Sequence, residues 1–386
     1  MPIRYTLFAC VATVTLGLSS AVYGDNETPY YPDKHDWTMK SPQSQGLDPD
    51  RIQQAVDFAL EHEYSGDKDL RIAILKGFAH EPFHEILGPT RKRGAPAGMI
   101  LRNGYIVAGW GDLDRVDMTF SVTKSYLSTV AGVAIQQGLI QDVDDKLADY
   151  VWDGTFAGEH NSQITWRHLL EQSSDWSGEL FGIKDWADRP PKEGGLDDWK
   201  YRALNTPGTV MEYNDVRVNL LAYSLLQVLR KPLPRALKQH VMDPIGASTT
   251  WRWYGYDHAW VNVDGQKIQS VTGGGHSGGG VFVSTYDQAR FGLLFSRDGQ
   301  WQGQQIIESG WIDQATTPST PNPSYGFMWW VNQGERKWPT VDNPDLFYAA
   351  GFGGNFIVID QERDLVLVTR WLEPRMIGEM AALVFN

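Results

Sequence analysis

Ser121 and Lys124, a serine and a lysine three residues apart, are the residues in this sequence best suited to covalent chemistry. They open the apolar run 122–139, whose length and composition predict a buried helix. A spacing of three places both side chains on one helix face. The hydroxyl would lie beside unpaired backbone N–H groups that can stabilise an oxyanion, and burial would favour the neutral amine of a general base. The alternative is a helix-capping serine with a surface lysine; a second match, at 65–68, lies in a polar loop.

Tyr213 is a further candidate, because a nucleophilic serine without a histidine partner needs another group for proton transfer. It lies between the turn at 205–208 and the apolar helix predicted from about Val218. A phenol close to an ammonium group can act as a proton acceptor. Taken without the Ser121 pair, a core tyrosine would be the favoured interpretation.

Two other patterns match catalytic motifs but lie in the wrong context. Residues 275–279 read Gly-His-Ser-Gly-Gly, as in a nucleophile elbow, yet no histidine follows Ser277 and the next residues resemble a strand rather than a helix. A Gly-rich turn into a strand is the favoured interpretation, and the same glycines lack the ending of a phosphate-binding loop. Residues 80–84 read His-Glu-Pro-Phe-His, as in a zinc site, but Pro82 disfavours the helix that such a site needs. A surface loop is expected there.

The remaining pattern of the chain predicts strands at both ends and helices in the middle. Asn103-Gly104 between two short apolar runs is a strong hairpin signal. Residues 140–245 are mainly helical in pattern, and from about 251 the texture becomes strand-like again. We therefore expect an α+β fold: an antiparallel sheet flanked by helices, contributed by both chain ends, with an all-helical inserted domain.

Composition limits the function classes. The chain has 386 residues and a formal net charge of −13, which disfavours nucleic-acid binding. Residues 1–24 have the pattern of a signal peptide, with a retained membrane anchor as the alternative, and imply export to a bacterial periplasm or beyond. Cys10 is the single cysteine, so the mature chain would have no disulfide and no thiolate zinc site. Residues 25–45 are polar and are expected to form a loose arm. The 16 tryptophans fit either a bulky core or an aromatic-lined cleft.

Several segments in order resemble the serine β-lactamase-like superfamily of penicillin-recognising enzymes. The chain is most similar to the branch of class C β-lactamases, family VIII carboxylesterases, D-aminopeptidases and 6-aminohexanoate-dimer hydrolases. The resemblance extends over roughly 95–372 and rests on five segments, 118–139, 164–170, 207–213, 277–291 and 350–355.

The resemblance implies a role for each matching residue. Ser121 would be the acylated nucleophile, Lys124 its proton acceptor, and Tyr213 the general base or acid of the second half-reaction. The backbone N–H groups of Ser121 and Phe352 would form the oxyanion hole. From the order of strand-like and helical segments we expect a sandwich domain from 46–120 and 250–386, a mainly helical domain over 121–249, and a cleft between them without metal or nucleotide cofactor.

Two departures from the family pattern bear on the substrate. Asp215 stands where the second motif has Asn or Ser, and we expect it to bind a substrate amine or to hold Lys124. Residues 349–351 read Ala-Ala-Gly where the third motif has a basic residue, so β-lactam or D-Ala-D-Ala processing is disfavoured. Trp176 falls where the amide-hydrolase branch has a substrate-facing aromatic residue, with a core position as the alternative. Gly351 and Gly353 are further candidates for substrate binding.

The expected function is therefore that of an exported serine hydrolase acting on a small-molecule carboxylic ester or small amide. A β-lactamase or DD-peptidase with the same residues is one alternative, and a ligand-binding protein with an inactive site is the other.

Overall fold

A computed structural model describes residues 29–191, 193–333 and 337–386. Strands from the early and late parts of this chain pair with each other in one sheet. The predicted signal peptide lies outside these residues. Within the described ranges, no helix is long and apolar enough to cross a membrane.

The α-helices are α1 (Pro49–Glu61), α2 (Leu70–Phe78), α3 (Thr123–Gln136), α4 (Trp166–Leu170), α5 (Leu196–Lys200), α6 (Asp215–Leu229), α7 (Leu233–Leu237), α8 (Thr285–Ser296), α9 (Ser309–Thr316) and α10 (Ile377–Phe385). The strands are β1 (Ala97–Arg102), β2 (Tyr105–Trp110), β3 (Asp117–Met118), β4 (Glu179–Leu180), β5 (Ile183–Lys184), β6 (Arg252–Val263), β7 (Gln266–Val271), β8 (Gly280–Val283), β9 (Gln300–Trp301), β10 (Gln304–Gln305), β11 (Trp330–Val331), β12 (Phe347–Gly351), β13 (Asn355–Asp360) and β14 (Leu365–Arg370).

The main sheet is antiparallel and has the order β11-β12-β13-β14-β1-β2. The β1–β2 turn is the predicted Asn-Gly pair: Asn103 and Gly104 both have positive φ, 53° and 81°, as a two-residue hairpin turn requires. Alternate residues of the central strands face opposite layers. Ile100 packs with α1 and α10, whereas Met99 packs with α8 and the helical region. Both faces are covered, which explains the continuous apolar runs in β13 and β14.

The middle of the chain centres on α3 and α6, with the shorter helices α4, α5 and α7, the small β4–β5 hairpin and long irregular segments between them. Helix α3 begins at Thr123, so Ser121 lies in the preceding 3₁₀ turn Phe120–Val122. Every residue from Thr123 to Ala134 is buried, which fits a helix enclosed on all sides. A second sheet, β3-β8-β6-β7, carries the Gly-rich turn that leads into β8. The predicted α+β arrangement is therefore present.

The N-terminal arm differs from the prediction. From Tyr30 onward it is packed against the sheet: Tyr30 stacks on Tyr105 at 4.1 Å, and the Trp37 indole donates to the carbonyl of Gly104 at 2.8 Å. The guanidinium of Arg290 donates to backbone carbonyls of the arm, including that of Pro32. The arm is therefore anchored at these points by half-buried aromatic contacts, although most of its other side chains are exposed.

Candidate active site

Ser121 lies at a strained turn just before α3. The preceding Phe120 has a φ of 50°, a conformation that costs a non-glycine residue free energy. Its ring is buried and packs 5.0 Å from Phe352 and 6.5 Å from Trp371, which holds the turn in place. The hydroxyl of Ser121 is thereby presented to a cavity at the N-terminal end of a buried helix.

Lys124 lies one turn further on, with its side chain 1% exposed. Its Nζ is 3.0 Å from Ser121 Oγ, the separation that direct proton transfer requires. Its surroundings differ from the apolar environment expected from the sequence, because Nζ also donates to Asp215 Oδ1 at 2.5 Å. A contacting carboxylate favours the ammonium form, whereas burial alone would favour the neutral amine. The prediction of a purely apolar environment is therefore wrong.

Asp215 holds Lys124 and is closed to substrate. Its Oδ2 accepts a hydrogen bond from Arg189 Nη2 at 2.7 Å, and its side chain is 4% exposed. Burial alone would raise the pKa of Asp215, but the charges of Lys124 and Arg189 hold that pKa far below the ordinary carboxyl range. Of the two expected roles for Asp215, the geometry favours the one of holding Lys124.

Gly274 makes room for this ion pair. A Cβ atom at this position would lie 1.8 Å from Asp215 Oδ1 and 2.4 Å from Lys124 Nζ. Both distances are far shorter than van der Waals contact, so any side chain here would separate the pair. The Gly-rich turn therefore brings the backbone close to the two charges.

Tyr213 lies beside Lys124 and in the wall of the same cavity as Ser121. Its ring centre is 4.6 Å from Lys124 Nζ, and the ring stacks on Trp330 at 5.9 Å. The next residue, Asn214, caps α6 by accepting from the N–H of Arg217 at 3.0 Å. This cap fixes the backbone that carries Tyr213, and so the structure brings all three predicted catalytic residues together.

The cavity in front of Ser121 has a volume of about 470 Å³ and is mainly aromatic. Its charged lining groups, among the described residues, are the cations Arg189 and Lys337; none of the lining residues is acidic. A cavity of this kind suits an apolar or aromatic group better than a cationic one. The aromatic side chains that line it are Tyr64, Phe78, Tyr213, Trp330, Trp338, Tyr348, Phe352 and Phe356.

The β12–β13 turn forms the cavity wall next to Ser121. A Cβ atom on Gly351 would lie 3.3 Å from the backbone nitrogen of Ser121 and 2.3 Å from the carbonyl oxygen of Thr119. Phe352 and Gly353 also line the cavity, and Asn355 fixes the turn by donating to the Phe352 carbonyl at 2.8 Å. The structure therefore brings the two residues of the predicted oxyanion hole, and both candidate substrate-binding glycines, to one side of the cavity.

Trp176 does not reach the cavity. It is 3% exposed, and its indole N–H donates to the carbonyl of Thr155 at 2.9 Å. Its own carbonyl accepts from Arg217 Nε at 3.1 Å. This geometry is that of a core residue, the alternative that the sequence left open.

A buried ionic cluster behind Asp215 was not foreseen from the sequence. His276 Nε2 lies 2.6 Å from Glu81 Oε2 and 3.4 Å from Asp188 Oδ1. His276 belongs to the Gly-rich turn, and Glu81 belongs to the His-Glu-Pro-Phe-His segment. Glu81 is buried, not at the surface as expected for its loop, because its carboxylate pairs with this imidazole. Proline and glycine in the two segments indicated turns but gave no signal that they meet.

The ligand atoms of Glu81, Asp188 and His276 all lie within 4.8 Å of one another, close enough to surround a metal ion. However, both oxygens of Asp188 accept from Arg189 at 2.8 Å, and one oxygen also accepts from the backbone of Asp215. A guanidinium at this position opposes a second cation. The cluster is therefore better described as a closed network of ion pairs.

Known proteins resemble this chain in sequence and in fold. A family model described as Beta-lactamase matches residues 97–370. A protein of Escherichia coli (strain K12), named as a candidate D-alanyl-D-alanine carboxypeptidase, is 21% identical over 374 residues, covering 86% of this chain and 84% of that protein. Two solved structures share the fold. EstCE1, described as a hydrolase with promiscuous acyltransferase activity, has 15% identity and a TM-score of 0.59, over 89% of this chain and 99% of that chain. A family VIII carboxylesterase has 18% identity and a TM-score of 0.54, over 75% and 91%.

Proposed function

We propose that this chain, which belongs to the beta-lactamase family of serine hydrolases, cleaves a carboxylic ester or small amide through an acyl-Ser121 intermediate. The observation that carries the proposal is the 3.0 Å separation of Lys124 Nζ and Ser121 Oγ at the wall of an aromatic cavity. A serine and a lysine at this distance can perform nucleophilic acyl transfer with the lysine, rather than a histidine, as the base.

In the first step, Ser121 Oγ attacks the carbonyl carbon of the substrate and its proton passes to Lys124. The negative charge that develops on the carbonyl oxygen is stabilised by the N–H groups of Ser121 and Phe352. The tetrahedral intermediate collapses when the alcohol or amine leaves, with a proton delivered through Tyr213. Water then attacks the ester on Ser121 and gives a proton to Tyr213, and a proton returns to Ser121 Oγ as its bond to the acyl carbon breaks and the acid leaves.

The cavity supports an apolar or aromatic substrate group and disfavours an amine. The sequence allowed an amine-bearing substrate because Asp215 could have faced it, but Asp215 is buried and paired with two cations. Arg189 and Lys337 instead give the cavity a positive character. We propose a neutral or anionic substrate with an aromatic or alkyl group next to the scissile bond.

A β-lactamase or D-Ala-D-Ala peptidase is the second candidate. The third motif lacks the basic side chain that normally pairs with the carboxylate of such substrates, since 349–351 read Ala-Ala-Gly. Lys337 on the cavity wall is the observation in its favour, because its ammonium offers a carboxylate another partner. The named E. coli relative is consistent with this candidate.

The proposal is tested by covalent labelling and by turnover of matched substrates. We expect a fluorophosphonate to label the wild-type protein and Ser65→Ala equally, and to leave Ser121→Ala unlabelled. Ser65 is the matched control because it begins the other Ser-x-x-Lys pattern, and its exposed hydroxyl is bonded to Glu373 at 3.1 Å. Equal labelling of Ser121→Ala, or no labelling of the wild type, would overturn the assignment and favour a ligand-binding role.

Turnover then separates the two enzymatic candidates. Nitrophenyl esters with benzoyl or hexanoyl acyl groups should be cleaved faster than a chromogenic cephalosporin and faster than aminoacyl esters. A cephalosporin cleaved with the higher kcat/KM would favour the β-lactamase candidate.

We also propose that the protein is exported, on the pattern of residues 1–24. Fractionation of a bacterium that expresses the full chain, with mass spectrometry of the N-terminus, tests this. A chain found whole in the cytoplasm would contradict it.

A further inference from the structure

We propose that His276 is a positioning residue: as an imidazolium, it shares the charge of Asp215 and so weakens the hold of Asp215 on the proton of Lys124. The proposal deepens the proposed function and rests on Lys124 as the proton acceptor of Ser121. Its first part, the charge of His276, can be measured without any activity.

Both ring nitrogens of His276 face carboxylates. Nε2 is 2.6 Å from Glu81 Oε2, and Nδ1 is 3.6 Å from Asp215 Oδ2. The ring is buried with 6% of its side chain exposed and packs 3.8 Å from the ring of Phe78. A neutral imidazole that donates to Glu81 would direct its lone pair at the Asp215 oxygen. The imidazolium directs an N–H group at each carboxylate and removes that repulsion.

With all three carboxylates ionised, the charges of the network balance when His276 is protonated. It contains three carboxylates, on Glu81, Asp188 and Asp215, whose side chains are at most 4% exposed. Two cations face them while Lys124 carries its proton: Lys124, 2.5 Å from Asp215, and Arg189, which contacts both aspartates. Two cations against three anions would leave one buried negative charge, which is costly in a protein interior. An imidazolium supplies the third positive charge.

Two neighbouring groups bear on this balance. Tyr256 lines the same small cavity as His276, and burial raises the pKa of its phenol, so it contributes no charge near neutral pH. Burial also raises the pKa of Asp188 despite the positive charge of Arg189. A proton on that carboxylate, with a neutral His276, is the competing arrangement.

The charge of His276 matters for Lys124 because both act on the same carboxylate. Asp215 Oδ1 contacts Lys124, while its Oδ2 faces Arg189 at 2.7 Å and His276 at 3.6 Å. Two cations on the second oxygen reduce the net field that Asp215 exerts on the ammonium of Lys124. Lys124 then loses its proton at a lower pH and becomes available to Ser121. Without His276, Asp215 acts on Lys124 more strongly and the base is protonated up to a higher pH.

The charge is read by NMR of protein labelled with ¹⁵N at histidine. His276 is assigned by comparison with His276→Asn. We expect both ring nitrogens of His276 to show imidazolium shifts from pH 6 to 8 in the wild type. Shifts of a neutral tautomer in this range would overturn the proposal and place the proton on Asp188 or Glu81. This result stands whether or not the protein proves to be a hydrolase.

The effect on Lys124 is read from the pH dependence of acylation. In His276→Asn, we expect the acidic limb of kcat/KM to move upward by about one pH unit, or about tenfold in rate at a fixed pH on that limb. Glu81→Gln should move the limb in the same direction by a smaller amount, because it weakens the protonation of His276. Glu81→Gln also provides the test of the proposal if His276→Asn fails to fold.

The matched control is His168→Gln, a histidine in the capping box of α4, outside the network. Its limb should coincide with that of the wild type. If His276 had a purely structural role, its substitution would lower the rate at every pH and leave the acidic limb of kcat/KM in place. That result in both His276→Asn and Glu81→Gln would overturn the positioning role. Failure of the wild type to react with the fluorophosphonate would instead refute the proposed function.

Discussion

Replacing Asp215 by asparagine removes one charge from the site and almost no volume. The side chain contacts Lys124 at 2.5 Å and Arg189 at 2.7 Å, so both buried contacts lose their anionic partner. The backbone N–H of residue 215, which donates to Asp188, is retained. The substitution therefore tests the electrostatics of the network with its packing preserved.

The size of the effect follows from the geometry. Two unit charges 2.5 Å apart attract by about 7 kcal/mol at an effective dielectric constant of ~20, and desolvation of the pair offsets part of this. Breaking a buried pair by removal of one partner costs about 3–5 kcal/mol. We expect the free energy of unfolding to fall by about that amount, with Lys124 more readily deprotonated than in the wild type. The acidic limb of kcat/KM should consequently move to lower pH.

The assay is urea denaturation followed by tryptophan fluorescence, at several values between pH 5 and 8. The pKa of Asp215 is lowered in the folded state, so its contribution to stability is present above the ordinary carboxyl pKa and is lost only as pH falls below it. The contribution of the Asp215 carboxyl itself to the stability difference should therefore stay constant over this range.

Asp264→Asn is the matched control. It breaks an ion pair between Asp264 and Arg230, whose side chains are 62% and 47% exposed, and it should cost far less stability than Asp215→Asn because solvent screens the pair. Equal losses in Asp215→Asn and Asp264→Asn, together with an unmoved acidic limb, would refute the view that a buried pair governs the state of Lys124.

Three further predictions follow from the same geometry. Asp175→Asn should cost about 3 kcal/mol at pH 7, because Asp175 pairs with Arg202 and Arg217 in the interior. Burial opposes ionisation there, but the two guanidinium groups keep the pKa of Asp175 lowered, so the stability difference from wild type should shrink in thermal melts as pH falls below about 4. Trp176→Phe should cost about 1 kcal/mol for the lost indole hydrogen bond and leave KM unchanged, whereas a changed KM would restore Trp176 as a substrate contact. Gly351→Ala should slow acylation about 100-fold in burst kinetics, because its Cβ would clash with the carbonyl of Thr119 beside Ser121; an unchanged burst would contradict the proposed oxyanion hole.

Local spacing carried much of the information about the site. The contact between Ser121 and Lys124 follows from a separation of three residues at the start of a helix, and the β1–β2 hairpin follows from one Asn-Gly pair. These features depend on neighbours in the chain, so the sequence determines them directly.

Contacts between distant segments could not be predicted in this way. Glu81 and His276 are 195 residues apart, in two turns without periodicity, and nothing local indicates that they pair. The sequence left Asp215 with two roles because only the fold determines which cation reaches its carboxylate. In the N-terminal arm, Tyr30 and Trp37 were the available signal for packing, but they stand in a polar stretch that outweighed them.

The position of β14 constrains the order in which the chain can assemble. This strand, the last of those described, inserts between β13 and β1, so that Arg370 pairs with Ala97. The β1–β2 hairpin is synthesised early, but the second edge of β1 has no strand partner until β14 has been synthesised. Until then the strands β11 to β13 and the β1–β2 hairpin are separate pieces of sheet, because β14 is the strand that joins them.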